Sequence, residues 1–152
     1  YYNKKNSSRA MTYMDEEAGP LFPFGYGLGY GTFEWGTCSL STERCNVAAL
    51  ENKGLTISFS VKNTSERGGY IVPQIYVTDV AASTVRRVKE LKAFQKVWLD
   101  AGQERTVSLQ LGKEAFCLWN QKMKYVAEPG VFQIELSDSA QTIWKGEFTL
   151  CI

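Results

Sequence analysis

The chain has 152 residues, of which 44% are hydrophobic and 13% aromatic, a composition typical of a folded globular protein rather than a disordered one. With 17 basic and 16 acidic residues the formal net charge is +1, which gives no electrostatic reason to expect nucleic acid or an anionic membrane as a partner. No apolar run in the sequence approaches the roughly 18 residues of a membrane-spanning helix.

The first 18 residues are polar and predict loops around one short strand at residues 10–14. A single strand has no sheet to join here. The chain begins Tyr1-Tyr2-Asn3, with neither an initiator methionine nor a hydrophobic signal core after it. We therefore expect this sequence to be a piece of a longer protein.

Residues 19–33, which we call the strap, read GPLFPFGYGLGYGTF. In an extended ribbon alternate residues point to opposite sides, so one edge carries large apolar side chains, whereas the other edge carries only glycine from Gly25 to Gly31. Pro20 and Pro23 argue against a helix or a central strand. We predict that the strap lies across another surface and docks there through its bulky edge. The predicted docking residues are Phe22, Phe24, Tyr26, Leu28 and Tyr30.

Residues 33–152 change to an alternation of apolar and polar side chains. The clearest strand is 55–62, where every second residue is apolar. Alternation of this kind predicts six further strands, at residues 33–40, 70–78, 88–99, 106–111, 132–136 and 144–150. Turn residues separate them, and apart from one turn near residues 113–116 no segment has helical periodicity.

Two of these strands contain an irregularity. Pro73 cannot donate a ladder hydrogen bond, which predicts an edge strand or a bulge. The apolar alternation breaks between Leu91 and Phe94, which we interpret as a β-bulge. Seven short strands with regular turns predict an all-β fold, a seven-stranded antiparallel β-sandwich of the immunoglobulin type, with the strap as an extended N-terminal linker segment.

The chain contains four cysteines and no histidine. The cysteines are Cys38, Cys45, Cys117 and Cys151. Four cysteines allow three pairings, and they can equally be small buried hydrophobic residues, or Cys38 and Cys45 can be bridged across a loop. None lies in a CxxC motif, so a zinc site would need all four thiolates at unusual spacings. We therefore predict no metal site and no cofactor.

The strap sequence is recognisable as a family motif. Its segment PLFPFGYGLGY at residues 20–30 resembles the PLFPFGYGLSY signature near the C-terminal end of glycoside hydrolase family 3 enzymes, the β-glucosidases and β-xylosidases. Four later segments resemble motifs of the same family in the same order, namely VKNT (61–64), QIYV (74–77), KELKAF (89–94) and EPGVF (128–132).

The chain departs from the family motifs at three places. Gly29 stands where the family usually has serine, and Ala93 where it usually has glycine. If that glycine requires a positive φ, Ala93 is strained or the bulge there differs. Arg9 and Tyr13 resemble the RxYxY run that ends the family's α/β domain, but residues 11, 12 and 15–19 depart from it.

The resemblance implies a domain division and a parent activity. Residues 1–32 would be the tail of a preceding α/β domain together with the strap, and residues 33–152 a fibronectin type III-like β-sandwich. The parent would hydrolyse β-glucosides or β-xylosides by a retaining mechanism with two carboxyl groups. Both groups would lie in domains that precede this part of the chain, and such enzymes are often periplasmic or secreted.

This part of the chain is expected not to be catalytic. Its carboxylates are expected to be solvated charges, among them Glu34, Glu66, Glu104, Glu135 and Glu147. Without histidine, no Ser–His or Cys–His pair can form. The first functional hypothesis is a structural domain that docks onto the catalytic barrel and α/β domains of the parent chain. No nucleic-acid or membrane partner is expected.

The alternative hypothesis is a carbohydrate-binding module that stacks oligosaccharides on exposed aromatic rings. The main candidates are Trp119, Trp98 and Tyr125, and we considered Trp35, Trp144 and Tyr76 with them. The competing explanation for each ring is packing in the core or between domains. A module of this kind needs a row of coplanar exposed aromatics on one sheet face, whereas a docking domain does not. A pure protein-interaction module is a weaker third hypothesis.

Overall fold

The structure is a computed structural model that describes residues 20–84 and 86–152. The strand predicted at residues 10–14 and the run around Arg9 lie outside these residues. The described chain is all-β, as the alternation predicts. Its strands are β1 (Phe33–Leu40), β2 (Arg44–Asn46), β3 (Leu55–Asn63), β4 (Gly69–Ile71), β5 (Gln74–Asp79), β6 (Glu90–Phe94), β7 (Val97–Leu99), β8 (Glu104–Leu111), β9 (Cys117–Trp119), β10 (Tyr125–Ala127), β11 (Gly130–Asp138) and β12 (Gln141–Cys151).

Two main sheets enclose the core. One contains three strands in the order β1-β3-β8, and the other contains five in the order β2-β12-β11-β5-β6. Two short ribbons, β4-β7 and β9-β10, complete the described strands. The pairs are antiparallel except for β2 and β12, which run parallel. The prediction of a purely antiparallel sandwich is therefore wrong at this one edge.

The apolar faces predicted by the alternation form the core. In β3 the apolar residues at positions 55, 57, 59 and 61 are all buried, and the facing side chains of β5, β11 and β12 are buried as well. Phe116 lies at the end of a 3₁₀ helix (Lys113–Phe116), at the position where the sequence predicts a turn. Its ring centroid lies 5.1 Å from those of Phe132 and Phe148, so this helix contributes a central aromatic residue.

The predicted count of seven strands is wrong, because two predicted strands are each divided in two and the three short strands β2, β9 and β10 were not predicted. The strand predicted at 70–78 breaks at Pro73 into β4 and β5, and the strand at 88–99 breaks at residues 95–96 into β6 and β7. Pro73 has no N–H for the ladder, although its carbonyl accepts a bond from Gln95 N at 3.3 Å. Beyond this break β4 pairs with β7, whereas β5 and β6 belong to the five-stranded sheet. Pro73 therefore lies between two strands, at the point where the chain passes from one sheet to the other. It belongs neither to a bulge nor to an edge strand.

The β-bulge predicted from the broken alternation is confirmed. Ile75 pairs with Ala93 and Tyr76 pairs with Leu91, so Lys92 is the extra residue between them. Ala93 does not belong to the described non-glycine residues with a positive φ. The expected backbone strain at this substitution is therefore not observed.

The sequence reasoning missed one helix, α1 (Val47–Lys53). Asn46 caps its first turn by accepting a hydrogen bond from Ala49 N at 2.9 Å. Gly54 ends it with a φ of 65° and donates its N–H to Leu50 O. Leu50 is fully buried and anchors the helix to the core. With 7 residues, α1 is the longest helix in the described residues, and none of those helices could cross a bilayer.

All four cysteines are free. The proposed Cys38–Cys45 bridge is not formed; Cys38 belongs to the three-stranded sheet and Cys45 to the edge of the five-stranded sheet. Burial raises the pKa of the Cys38 thiol to about 11, so this thiol is protonated at neutral pH. Among the described residues, no three His, Cys, Asp or Glu side chains are arranged to hold a metal ion.

The turn between β11 and β12 is strained. Ser139 and Ala140 have φ values of 46° and 66°, the left-handed region that a two-residue hairpin turn requires and that glycine adopts most easily. Neither residue is glycine or asparagine. The turn therefore carries a cost of roughly 1 kcal/mol at each residue.

Replacing Ala140 with glycine is expected to raise the free energy of unfolding by about 0.5–1 kcal/mol, because the left-handed strain disappears. Urea denaturation measures the change. Ala101→Gly is the control, since Ala101 lies in another exposed turn without a positive φ and gains only unfolded-state entropy. A lower stability for A140G than for the unchanged chain would show that the turn is not strained.

Candidate functional site

The strap is bent rather than continuously extended. Tyr26 N donates a hydrogen bond to Pro23 O at 3.0 Å, and Gly25 at the third position of this turn has a φ of 87°. The turn brings the rings of Phe22 and Tyr26 together, with 5.1 Å between their centroids. The prediction of one straight ribbon is therefore wrong at residues 23–26.

The backbone of the strap is tied to the sandwich at three places. Gln74 Nε2 donates to Gly25 O at 3.1 Å. The Ser139 hydroxyl accepts from Gly27 N at 3.0 Å and donates to Gly27 O. Thr64 donates to Thr32 O through its backbone N–H at 2.9 Å and its hydroxyl at 3.1 Å. All three ties use main-chain atoms of the strap.

Glycine permits the close approach of the strap at Gly25. A Cβ atom there would collide with the Gln74 amide and the Tyr76 hydroxyl, whereas a Cβ at Gly27 or Gly29 would meet nothing within 4 Å. The glycine edge of the strap therefore contacts the sandwich at Gly25, near the N-terminal end of the strap.

All five predicted docking side chains of the strap are exposed. Their relative accessibility runs from 44% at Tyr26 to full exposure at Tyr30, and Leu21 beside them is 89% exposed. A cleft of about 470 Å³ lies between the strap glycines and the sandwich, where it is lined by Tyr70, Ile71 and Ser139. The strap thus presents rings and aliphatic groups outward while its backbone faces the domain.

Two pairs of exposed aromatics lie on the two short ribbons. Trp98 and Tyr70 pair across β4-β7, with 4.7 Å between centroids and 68° between planes. Trp119 and Tyr125 pair across β9-β10, with 5.4 Å and 41°. The three main candidates for sugar stacking are therefore divided between two ribbons. Neither pair is coplanar.

The other three aromatic candidates are packed against the protein. Tyr76 is 2% exposed. Trp35 is half-buried with its centroid 5.6 Å from that of Phe59, and Trp144 packs against the core. Core packing therefore accounts for Trp35 and Trp144. Tyr76 is buried on the opposite face of β5, where its hydroxyl donates to Gln74 Oε1.

The expectation that the carboxylates are solvated is wrong at Glu135. Its side chain is 9% exposed, and Lys89 Nζ lies 2.7 Å from its Oε1. The hydroxyls of Ser137 and Thr142 donate to the same oxygen at 2.8 and 2.9 Å, and Lys145 Nζ lies 3.6 Å from Oε2. The four other glutamates named above are exposed, as expected: Glu34, Glu66, Glu104 and Glu147.

The hydrogen bonds determine the ionisation of Glu135. Burial alone would raise the pKa of this carboxyl, but the donors from Lys89, Ser137 and Thr142 together with the Lys89 charge hold the pKa below its usual range. The pKa of a second carboxyl, Glu90, depends on the same balance. Burial opposes its ionisation, and hydrogen bonds and charges from Lys92 and Arg86 lower its pKa. Both groups are structural anions at neutral pH.

Glu135→Gln is expected to lower the free energy of unfolding at pH 7 by about 2 kcal/mol, because Lys89, Ser137 and Thr142 lose a charged acceptor that is only 9% exposed. Since the folded-state pKa of Glu135 is lowered, its contribution is present above the unfolded pKa and is lost as the pH falls through the folded value. The difference between the two proteins should therefore shrink from about pH 5 to pH 3.

Denaturation with urea at several pH values measures this difference. The matched control is Glu147→Gln, which removes an exposed carboxylate from the neighbouring strand β12. A difference that stays constant with pH would contradict the assignment of Glu135 as a buried, ionised partner of Lys89.

Ser139→Ala is expected to loosen the strap, because it removes both hydrogen bonds to Gly27. Cleavage by chymotrypsin at the strap aromatics should become about fivefold to tenfold faster, which corresponds to the loss of a net 1 kcal/mol or slightly more. A140G in the same turn retains the hydroxyl and is the control. Equal cleavage rates for S139A and A140G would show that the hydroxyl does not hold the strap.

Known proteins are similar in sequence to this chain along nearly its whole length. A family model described as a fibronectin type III-like domain matches residues 71–140. The periplasmic β-glucosidase of Salmonella typhimurium is 41% identical over 151 residues, which are 99% of this chain and 19% of that protein. A β-xylosidase of Formosa agariphila is 40% identical over 129 residues, 85% of this chain and 17% of that protein.

A solved structure agrees in fold as well. The β-glucosidase from Listeria innocua in complex with glucose superposes with a TM-score of 0.85 at 36% identity, over 99% of this chain and 22% of that one. The chain therefore spans about a fifth of the length of these relatives. The chain therefore corresponds to the part of glycoside hydrolase family 3 β-glucosidases and β-xylosidases that carries the fibronectin type III-like domain.

Proposed function

We propose that this chain is the non-catalytic structural part of a longer family 3 β-glycosidase and that its strap docks the sandwich onto the catalytic part. We retain the division into residues 1–32, the tail of the preceding domain with the strap, and residues 33–152, the sandwich. The parent chain would hydrolyse β-glucosides or β-xylosides, as the names of the relatives indicate.

The outward orientation of the strap side chains carries this proposal. The strap is attached through its backbone, yet five large apolar side chains remain 44% to fully exposed. A monomeric protein rarely leaves an apolar patch of more than a few hundred Å² in water. The relatives are about five times longer than this chain, so the additional length supplies a partner for the patch.

The two carboxyl groups whose pKa is raised by burial do not form a catalytic pair with each other. A retaining glycosidase needs two carboxyl groups about 5 Å apart, one of which has a raised pKa as the acid. Burial raises the pKa of Asp79 and of Asp138. However, Asp79 pairs with Phe132 at one end of β11, and Asp138 lies six residues further along that strand, about 20 Å away at 3.3 Å per residue. These two groups are too far apart to act together.

The alternative, a carbohydrate-binding module, is less well supported. The exposed rings of Trp98, Trp119 and Tyr125 lie on two different ribbons, and the planes within each pair are inclined. Sugar rings stack best on a flat aromatic surface. A docking domain requires no such row, and the strap already accounts for the largest group of exposed apolar side chains.

We further propose that the parent acts in the periplasm or outside the cell. The support is the relative from Salmonella typhimurium, whose name places that protein in the periplasm.

The test is made in the full-length glycosidase. Leu28 and Tyr30 are replaced together by serine; both are at least 89% exposed here, so the sandwich itself does not depend on them. Thermal inactivation of the hydrolase activity should become at least tenfold faster, since two buried contacts worth about 1.5 kcal/mol or more each would be lost. kcat/KM at low temperature should change little, because the strap is not a catalytic element.

The control replaces Trp119 and Tyr125 by serine, which should leave the inactivation rate nearly unchanged. An inactivation rate of L28S/Y30S equal to that of the unchanged enzyme would contradict docking through the strap. Titration with cello-, xylo- and laminari-oligosaccharides, followed by tryptophan fluorescence, tests the alternative. Saturable quenching that disappears in the Trp119 variant would favour the sugar-binding module.

A further inference from the structure

We propose that the aromatic pair Tyr70–Trp98 on the β4-β7 ribbon is the second half of the docking surface and contacts the catalytic part of the same chain. This inference rests on the proposed function and names the additional residues through which the domain would dock. The partner is a protein surface with an apolar centre, supplied by the portion of the glycosidase that this chain does not contain.

The pair is continuous with the strap. Tyr70 and Ile71 line the same cleft as the strap glycines from Gly25 to Gly31. The N-terminal end of β4 lies against the end of the strap, where a Cβ on Gly69 would be 3.9 Å from the Gly31 Cα. A partner that covers the strap would therefore reach the β4-β7 ribbon without crossing another surface.

The two rings are held in place. The Trp98 ring lies over Gly68, where a Cβ would collide with it, and Trp98 Nε1 donates to Asp100 Oδ1 at 2.9 Å. Lys96 Nζ lies 4.1 Å from the centroid of Tyr70 and makes a cation–π contact. Rings that are already ordered lose little conformational entropy on binding, which is a property of interface hot spots rich in Trp and Tyr.

The combined surface has the size of an interdomain contact. The six exposed apolar residues from Leu21 to Tyr30, together with Tyr70 and Trp98, have accessibilities between 44% and full exposure. At roughly 200 Å² for each large side chain, they present on the order of 1,000 Å². This area exceeds the usual largest patch of a monomer and falls within the 600–1,500 Å² of interfaces between domains of one chain.

The second exposed pair, Trp119–Tyr125, provides a matched comparison. Its rings are 59% and 48% exposed, against 45% for Trp98 and 53% for Tyr70. It does not line the cleft beside the strap, and the Tyr125 hydroxyl donates to Glu114 O. The two pairs therefore have the same composition and similar exposure. They differ in their continuity with the strap.

The experiment is hydroxyl-radical footprinting of the full-length glycosidase, read by mass spectrometry at single residues. We expect Trp98 to be oxidised about tenfold more slowly than Trp119, and Tyr70 about tenfold more slowly than Tyr125, because the centre of an interface excludes water. The strap rings Phe22 and Tyr30 should be protected to the same degree. No substitution is required, so a folding defect cannot produce the result.

Two other outcomes have different meanings. In the first, the strap rings are protected, but Trp98 and Tyr70 are oxidised as fast as Trp119 and Tyr125. This result would overturn the inference and leave docking through the strap intact. Fast oxidation of the strap rings and of Trp98 alike would overturn the proposed function together with the inference.

Discussion

The structure depends on the attachment of the strap through its backbone. Gln74, Ser139 and Thr64 hold three carbonyl groups and one N–H of the strap, and the glycine at position 25 allows the first of these contacts. Backbone atoms are the same for every residue type, so apart from glycine at position 25 these hydrogen bonds do not specify the side chains of the strap. The row of large apolar side chains therefore has another cause, and a partner surface is the cause that the exposed area supports.

The attachment continues into the sheet through polar groups. The Tyr76 hydroxyl donates to the Gln74 carboxamide at 2.6 Å, the Tyr76 ring lies 4.7 Å from Lys89 Nζ, and Lys89 binds Glu135. These side chains occupy the face of β5 and β11 opposite the core. That face would be solvated in an uncovered sheet, but here Gln74, Tyr76 and Glu135 are buried, and no buried side-chain polar atom of the described residues lacks a hydrogen-bond partner. The strap and the buried ion pair thus belong to one network.

The sequence predicts the core better than the site. Period-two alternation predicts the strands and their buried faces, because burial on one face is a local property of each strand. It does not predict that the opposite face is covered, so the burial of Glu135 was missed. The helix α1 is too short for periodicity, although its Asn46 cap and Gly54 terminus are readable signals. The bend at Gly25 is a local turn with glycine at its third position, a readable signal that the sequence reasoning missed, whereas its contact with Gln74, 49 residues away, has no local signal.

The most direct measurement is the crystal structure of the full-length glycosidase, from which the accessibility of the strap side chains is read. In the present structure these values run from 44% to full exposure. The account predicts that Phe22, Tyr26, Leu28 and Tyr30 become nearly inaccessible beneath the catalytic part of the same chain. Strap side chains that remain as accessible in the full-length enzyme as they are here would contradict the account.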